Sequence, residues 1–165
     1  TDHSPAADRS KVRKLGFIAI IGSLFVAGPT AATSSATPPS SLLLSKYKGK
    51  VVYLDYWASW CGPCKVSFPY MQQLSQKYGE KGFVVVTVNV DKSRAKADNF
   101  LVKNKITLPV VYDPNGATAK ALSVKDMPTS FLIGRDGRIR HVHKGFFAAK
   151  KAEYQSHITE LLNEK

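Results

Sequence analysis

Residues 55–65 have the sequence DYWASWCGPCK and contain both cysteines of the 165-residue chain. They overlap an apolar run, VVYLDYW (51–57), that predicts a buried strand, and they precede a segment with helical spacing of apolar residues as far as Tyr78. Cys61 is therefore expected at a strand-to-helix junction, where backbone N–H groups and the helix dipole stabilise a thiolate. Cys64, one helical turn later, is close enough to form a disulfide with Cys61 and is more shielded.

Three kinds of site could use this cysteine pair. Structural zinc usually has four ligands, and the histidines of the chain, at positions 3, 141, 143 and 157, show no paired-ligand spacing to the cysteines. A purely structural disulfide would close a loop of two residues and constrain the unfolded chain little. A Cys-x-x-Cys pair that opens a helix after a buried strand is the arrangement that thiol–disulfide exchange requires. The sequence favours this redox interpretation and no metal.

The rest of the chain alternates between predicted strands and helices. The segments are FVVVTVNV (83–90, strand), SRAKADNFLVKNK (93–105, helix), LPVVYD (108–113, strand), a short helix through Leu122, TSFLIG (129–134, strand), RIRHVH (138–143, strand) and a closing helix over 148–162. The two strands that flank the Asp136-Gly137 turn predict a hairpin. His141 and His143 alternate on one strand and share a face, and without a third ligand we interpret them as surface residues. The pattern indicates an α/β fold.

The first 39 residues differ in composition from the rest. Four basic residues within 9–14 precede an apolar run of 13 residues, 15–27, and small residues and prolines follow. This order is typical of an export signal, and cleavage after Ala32 would fit it. A membrane-spanning helix needs about 20 apolar residues, so the run is short for one. An uncleaved membrane tether through 15–27 is the alternative to cleavage. We expect residues 1–39 to be a signal or anchor plus linker, and 40–165 to be a domain that works outside the cytosol, where disulfides persist.

The charge of the chain does not point to a particular partner. Lys and Arg number 24 against 12 Asp and Glu, a formal net charge of +12. These residues are scattered, with no dense basic block and no alternation with aromatic residues, so nucleic-acid binding is not indicated. A basic surface could favour acidic partners or an anionic membrane, but a charge excess is most often a solvated surface. We expect a single monomeric domain.

The motif WCGPCK (60–65) together with MPTSFLI (127–133) resembles the thioredoxin superfamily. The segment from Phe83 to Met127 is longer than a minimal thioredoxin requires and can hold an extra helix and strand. With the export signal, the chain resembles the TlpA/ResA/CcmG branch of exported thiol–disulfide oxidoreductases. The resemblance implies a thioredoxin-like fold, with a central mixed sheet flanked by helices and an insertion after the second core strand.

The resemblance also implies a substrate-docking surface. The family proline opposite the cysteines is cis, and here the matching residue is Pro128. A cis X–Pro bond there leaves the backbone of Met127 free to pair with a substrate strand. Trp60, Gly62 and Pro63 would line the same apolar surface. Trp57 is expected to pack in the core instead.

Asp55 occupies the position at which thioredoxins carry a buried acid that relays a proton for Cys64. Burial raises the pKa of a carboxyl group toward neutrality, which suits a general base. Two residues depart from the relatives. Ser67 stands where the exported branch often has a glutamate, and Thr87 stands where cytosolic thioredoxins often have a lysine. The chain is therefore expected to depend on Asp55 alone.

The implied activity is reduction of disulfides in exported proteins without a cofactor. Cys61 would attack, Cys64 would release the mixed disulfide, and the oxidised pair would be recharged by a membrane thiol–disulfide electron donor. Gly62-Pro63 resembles the reducing members of the family, whereas strongly oxidising members carry a histidine there. Cytochrome c maturation is the favoured pathway. An exported oxidase or isomerase of the same fold, or a non-catalytic interaction domain, stays open.

Overall fold

The computed structural model describes residues 36–164. The predicted export signal, its apolar run over 15–27 and most of the linker lie outside this range. Within it, no helix is both long enough and apolar enough to cross a membrane.

Strands and helices alternate along the described chain as the sequence pattern predicts. The elements are β1 (Val51–Trp57), α1 (Gly62–Tyr78), β2 (Phe83–Asn89), α2 (Arg94–Lys103), β3 (Val110–Tyr112), α3 (Ala117–Ala121), β4 (Thr129–Ile133), β5 (Ile139–Lys144) and α4 (Lys151–Asn163). Two short 3-10 helices, Ser40–Leu42 and Leu44–Tyr47, lead into β1. The closing helix, predicted from residue 148, begins as a 3-10 turn over Ala148–Lys150.

The five strands form one mixed sheet in the order β3-β2-β1-β4-β5. The pairs β1–β2 and β2–β3 are parallel, and β1–β4 and β4–β5 are antiparallel. The predicted mixed sheet is therefore confirmed. The elements α2, β3 and α3 lie between β2 and β4, in the segment where the extra helix and strand were predicted. The central strand, β1, carries Asp55, whose register partners are Thr87 on β2 and Ser130 on β4.

Both faces of the central strand are covered, which explains its nearly continuous apolar sequence. Val51, Tyr53 and Trp57 belong to the hydrophobic cluster that includes the buried residues of α1 and α4. The alternate residues of β1 pack in a second cluster with Leu42 and Phe131. Because side chains alternate along a strand, Asp55 lies on the α1/α4 face. Trp57 is fully buried, with its ring centroid 5.1 Å from that of Phe68, so its predicted core role is confirmed.

The histidines of β5 correct one prediction, because His143 is not a surface residue. Its exposure is 7%, and its Nε2 lies 3.0 Å from Nδ1 of His157 on α4. His141 stays partly exposed and stacks on His157 with 3.9 Å between ring centroids. The strand pattern could not reveal this cluster because His157 comes from another element. No group of three metal-binding side chains in residues 36–164 could hold an ion. Burial lowers the pKa of His143 to about 4, so its imidazole is neutral at physiological pH.

Candidate active site

Cys61 is the N-cap residue of α1, as the strand-to-helix junction predicted, and it forms a disulfide with Cys64. The backbone N–H of Cys64 donates a hydrogen bond to Cys61 Sγ over 3.2 Å. Gly62 and Pro63 form the first turn, where the missing N–H of proline costs no helical hydrogen bond. Cys61 is 6% exposed and Cys64 is fully buried. A thiolate at Cys61 would therefore face free helix N–H groups, and Cys61 is the more accessible of the two sulfurs.

Asp91 fixes the loop that carries the cysteines, a role that was not predicted from the sequence. Its buried carboxylate accepts hydrogen bonds from the N–H and Oγ of Ser59, over 2.8 and 2.9 Å, and from Nδ2 of Asn89 over 2.7 Å. Ser59 lies two residues before Cys61, so these bonds connect the end of β2 to the approach of α1. One feature of the sequence could have pointed to Asp91. It comes just after a buried parallel strand, and functional sites of α/β proteins lie at the carboxyl ends of such strands.

Asp55 is 1% exposed, which confirms that it is a buried acid. Burial raises the pKa of its carboxyl group from 3.8 to about 7, and a hydrogen bond from Ser130 opposes this rise. The Ser130 hydroxyl donates to Asp55 Oδ1 over 2.6 Å. The other oxygen, Oδ2, is buried and has no hydrogen-bond partner among the described residues. A carboxyl group with these properties can exchange a proton near neutral pH.

Ser67 and Thr87 stand where the relatives have charged groups. Their hydroxyl groups donate to backbone carbonyls and not to Asp55. Ser67 is buried and donates to the carbonyl of Cys64 over 2.9 Å. Thr87 is buried and donates to the carbonyl of Pro109 over 3.1 Å. Neither hydroxyl supplies a proton acceptor near the cysteines. Asp55 is the one carboxyl group on the five described strands, and the buried carboxylate of Asp91 is held by Ser59 and Asn89.

The loop before β4 contains a cis peptide bond between Met127 and Pro128, as the resemblance implied. The N–H of Gly145 donates to the Pro128 carbonyl over 2.7 Å, and the Thr129 hydroxyl donates to the Asp126 carbonyl over 2.6 Å. Within residues 36–164, Met127 makes no backbone–backbone hydrogen bond outside the regular elements. Its polar backbone groups can therefore accept an added strand.

The predicted docking residues differ in exposure. Trp60 is 70% exposed, Gly62 and Pro63 are also exposed, and Met127 is partly buried. Pro128 is buried, so it shapes the loop and does not offer a contact surface itself. Met127 also lines a cavity of about 200 Å³. The other residues that line this cavity are Val90, Gly116, Ala119, Val124 and Lys125.

Phe147 is a further apolar residue beside the cis-proline loop, and it was not predicted. It is 54% exposed, and its ring lies 3.0 Å from the point where a Cβ on Gly145 would stand. Gly145 has a φ of +75°, which favours glycine, and bonds to Pro128. Phe147 therefore lies beside Gly145, the residue that bonds to Pro128, and adds exposed apolar surface there.

Comparison with known proteins gives the family. Residues 26–158 match the redoxin family model. The chain belongs to the redoxin family. The fold, the Cys61–Cys64 pair and the cis bond before Pro128 also agree with the thioredoxin superfamily, to which the sequence motifs pointed.

The most informative relatives are ResA proteins and two solved structures. The chain is 36% identical over 120 residues to thiol-disulfide oxidoreductase ResA of Oceanobacillus iheyensis, covering 73% of this chain and 62% of that protein. It is 30% identical over 146 residues to ResA of Geobacillus kaustophilus, covering 83% of each. A Chlorobium tepidum protein assigned as thiol:disulfide interchange protein DsbE is 48% identical, with a TM-score of 0.71, covering 73% of this chain and 85% of that one. StoA of Bacillus subtilis is 30% identical, with a TM-score of 0.58, covering 66% and 84%.

The redoxin chain spans 62% and 59% of the lengths of the first two ResA proteins that it matches.

Proposed function

We propose that this protein is a thiol–disulfide oxidoreductase that reduces disulfide bonds in other proteins. The observation that carries the proposal is the arrangement of Cys61, Cys64 and Asp55. The cysteines open α1, and the acid lies on the strand that leads to them. Its buried carboxyl group has a pKa of about 7, which suits proton transfer at neutral pH. The names of the ResA and DsbE relatives support the same class of activity.

The proposed reaction has two exchange steps. The Cys61 thiolate attacks one sulfur of the substrate disulfide, and the other substrate sulfur leaves as a thiolate. Cys64 then gives its proton to Asp55, and its sulfur attacks Cys61 Sγ. The bond between Cys61 and the substrate breaks, and the second substrate thiolate leaves. The substrate has gained two electrons, and the enzyme holds the Cys61–Cys64 disulfide, which a dithiol donor must reduce again.

The docking surface proposed for the substrate consists of Trp60, Gly62, Pro63 and Met127, with Pro128 shaping the loop. Two observations support this assignment: Trp60, Gly62 and Pro63 are exposed, and the Met127 backbone makes no backbone–backbone hydrogen bond within residues 36–164. An extended substrate segment would pair with the Met127 backbone and place its disulfide over Cys61.

The proposed setting is outside the cytosol, either after removal of the signal or with residues 15–27 as a membrane tether. The basic start and apolar run of the sequence support export. A membrane thiol–disulfide carrier is the proposed electron donor, because an oxidising compartment does not keep the cysteines reduced. Gly62-Pro63 supports the reducing direction. The proposed pathway is cytochrome c maturation.

An insulin assay with dithiothreitol as donor tests the function directly. We expect the protein to accelerate reduction of insulin, and the reduced protein to be alkylated at Cys61 at neutral pH. Absence of acceleration, together with an unreactive Cys61, would contradict the enzyme proposal and favour a non-catalytic domain. A reduction potential of about −120 mV, as in strong oxidants, would instead indicate an oxidase.

Replacement of Asp55 by asparagine should slow release of the mixed disulfide by Cys64 by roughly 10²-fold, because asparagine cannot accept the Cys64 proton. Attack by Cys61 should change little. Reaction of the reduced protein with the aromatic disulfide DTNB separates the steps, because each releases one coloured thiolate in stopped-flow measurements. Equal slowing of both phases would contradict the assignment of Asp55 to the second step.

A further inference from the structure

A hydroxyl group on β4 contacts the proton acceptor of the proposed reaction. Ser130 is 4% exposed and lies directly opposite Asp55 in the antiparallel pair β1–β4. Its Oγ donates to Asp55 Oδ1 over 2.6 Å, a distance typical of a hydroxyl bonded to a carboxylate. The two residues are 75 positions apart in sequence, so only the sheet register brings them together.

The two oxygens of Asp55 therefore have different roles. Oδ1 is occupied by the Ser130 hydroxyl, whereas the buried Oδ2 has no partner among the described residues. We propose that Ser130 is a positioning residue for proton transfer: it holds Asp55 Oδ1 and so leaves Oδ2 to receive the proton of Cys64. This inference rests on the proposed thiol–disulfide exchange and adds a residue to it.

The same hydrogen bond sets the pH range of the reaction. A hydroxyl that donates to the ionised carboxylate favours the charged form, so Ser130 lowers the pKa of Asp55 while burial raises it. Burial is the larger of these two influences, because the pKa of Asp55 stays well above 3.8. Among residues 36–164, Ser130 is the side chain that donates a hydrogen bond to Asp55, and it favours the ionised form of this buried acid.

Other titratable and polar groups belong to the same face of the described sheet, and Tyr53 among them interacts with both Asp55 and Ser130. The side-chain hydrogen bond to Asp55 comes from Ser130. The groups on this face are Tyr53 on β1, Thr87 on β2, His143 on β5, Cys64 and Tyr70 on α1, and Tyr154 and His157 on α4. The Thr87 hydroxyl is directed to the Pro109 carbonyl, and His143 Nε2 bonds to His157. No lysine or arginine among the described residues forms an ion pair with Asp55.

The test is the variant Ser130→Ala, which removes the hydroxyl and leaves the strand intact. We expect the pKa of Asp55 to rise by about one to two units, since a hydrogen bond to a charged group is lost. The midpoint of the pH profile for mixed-disulfide release should rise by the same amount, because release requires the ionised carboxylate. Stopped-flow release of the second DTNB thiolate gives this midpoint. Infrared difference spectra of the Asp55 carboxyl group, identified by subtraction of Asp55→Asn, give the pKa at equilibrium.

Two sets of variants separate positioning from a structural effect. Ser130→Thr and Ser130→Val have nearly the same shape, and only threonine keeps the hydroxyl, so we expect threonine alone to restore the wild-type midpoint. Thr87→Val removes a hydroxyl from the other register partner of Asp55 and should leave the midpoint unchanged.

The proposal is overturned if Ser130→Ala and Ser130→Val keep the wild-type midpoint, or if Thr87→Val shifts it equally. Failure of the proposed function has a different signature. In that case the wild-type protein would release no second thiolate at any pH. The infrared titration would still report whether Ser130 holds Asp55.

Discussion

Replacement of Cys64 by serine will leave a stable mixed disulfide between Cys61 and the substrate, whereas replacement of Cys61 by serine will prevent covalent capture. The asymmetry follows from the position of each sulfur. Cys61 is the N-cap of α1, receives the Cys64 N–H and is the more exposed sulfur, while Cys64 is fully buried. Only Cys61 combines access to a substrate with groups that stabilise a thiolate. Either variant should reduce turnover to the uncatalysed rate, because each exchange step needs its own sulfur.

Incubation of the reduced variants with a disulfide-bonded substrate protein measures this directly. Non-reducing electrophoresis and peptide mass spectrometry would show an adduct at residue 61 in Cys64→Ser and none in Cys61→Ser. The variant that lacks both cysteines is the matched control, and it should show no adduct. An adduct on Cys64 in the Cys61→Ser protein, at a rate like that of Cys61, would reverse the assigned roles.

The sequence was sufficient for the path of the chain around the cysteines because the relevant signals are local. A run of apolar residues from Val51 to Trp57 predicts a strand buried on both faces, and the helical spacing after Cys61 predicts α1. These two elements place a cysteine at a helix N-terminus without any knowledge of the remaining fold. The family motif then supplied the cis bond before Pro128, which no local propensity predicts.

Contacts between distant side chains were not predictable in this way. Ser130 lies within the recognised motif MPTSFLI, yet its bond to Asp55 depends on the register of β1 against β4. Asp91 meets Ser59 only because β2 ends beside the start of α1. The burial of His143 depends on α4, which brings His157 over β5. Each of these contacts joins polar atoms from different elements, and periodicity along one element carries no information about them.

The buried carboxyl group that serves the proposed reaction should also destabilise the folded protein at high pH. The pKa of Asp55 is about 7 in the folded state, against an ordinary value of 3.8. Between these values the folded protein keeps a proton that the unfolded chain has released. The free energy of unfolding therefore falls as pH rises from about 4 to about 7, and the full loss persists above pH 7. A difference of about three pH units corresponds to roughly 4 kcal/mol.

Asp55→Asn should remove this loss, because the amide stays neutral and its oxygen can still accept the Ser130 hydrogen bond. We expect the oxidised variant to match the wild type at about pH 4 and to exceed it by roughly 4 kcal/mol in the free energy of unfolding at about pH 9. His143 acts in the opposite direction. Its pKa is lowered to about 4, so the unfolded chain binds more protons between about pH 4 and 6.5, and stability rises with pH there.

Asp55 and His143 thus oppose each other in the wild type between about pH 4 and 6.5. The Asp55→Asn variant should reveal the contribution of His143 together with that of His141, whose pKa burial also lowers. Urea unfolding of the oxidised proteins across this range measures both effects. Asp126→Asn is the control, because it changes an exposed carboxyl group in the same way. Its free energy of unfolding should not increase with pH relative to that of the wild type. If Asp55→Asn raised the free energy of unfolding equally at acidic and alkaline pH, removal of a buried charge could not be the cause. Improved packing would explain such a result, and the assignment to the Asp55 charge would be wrong.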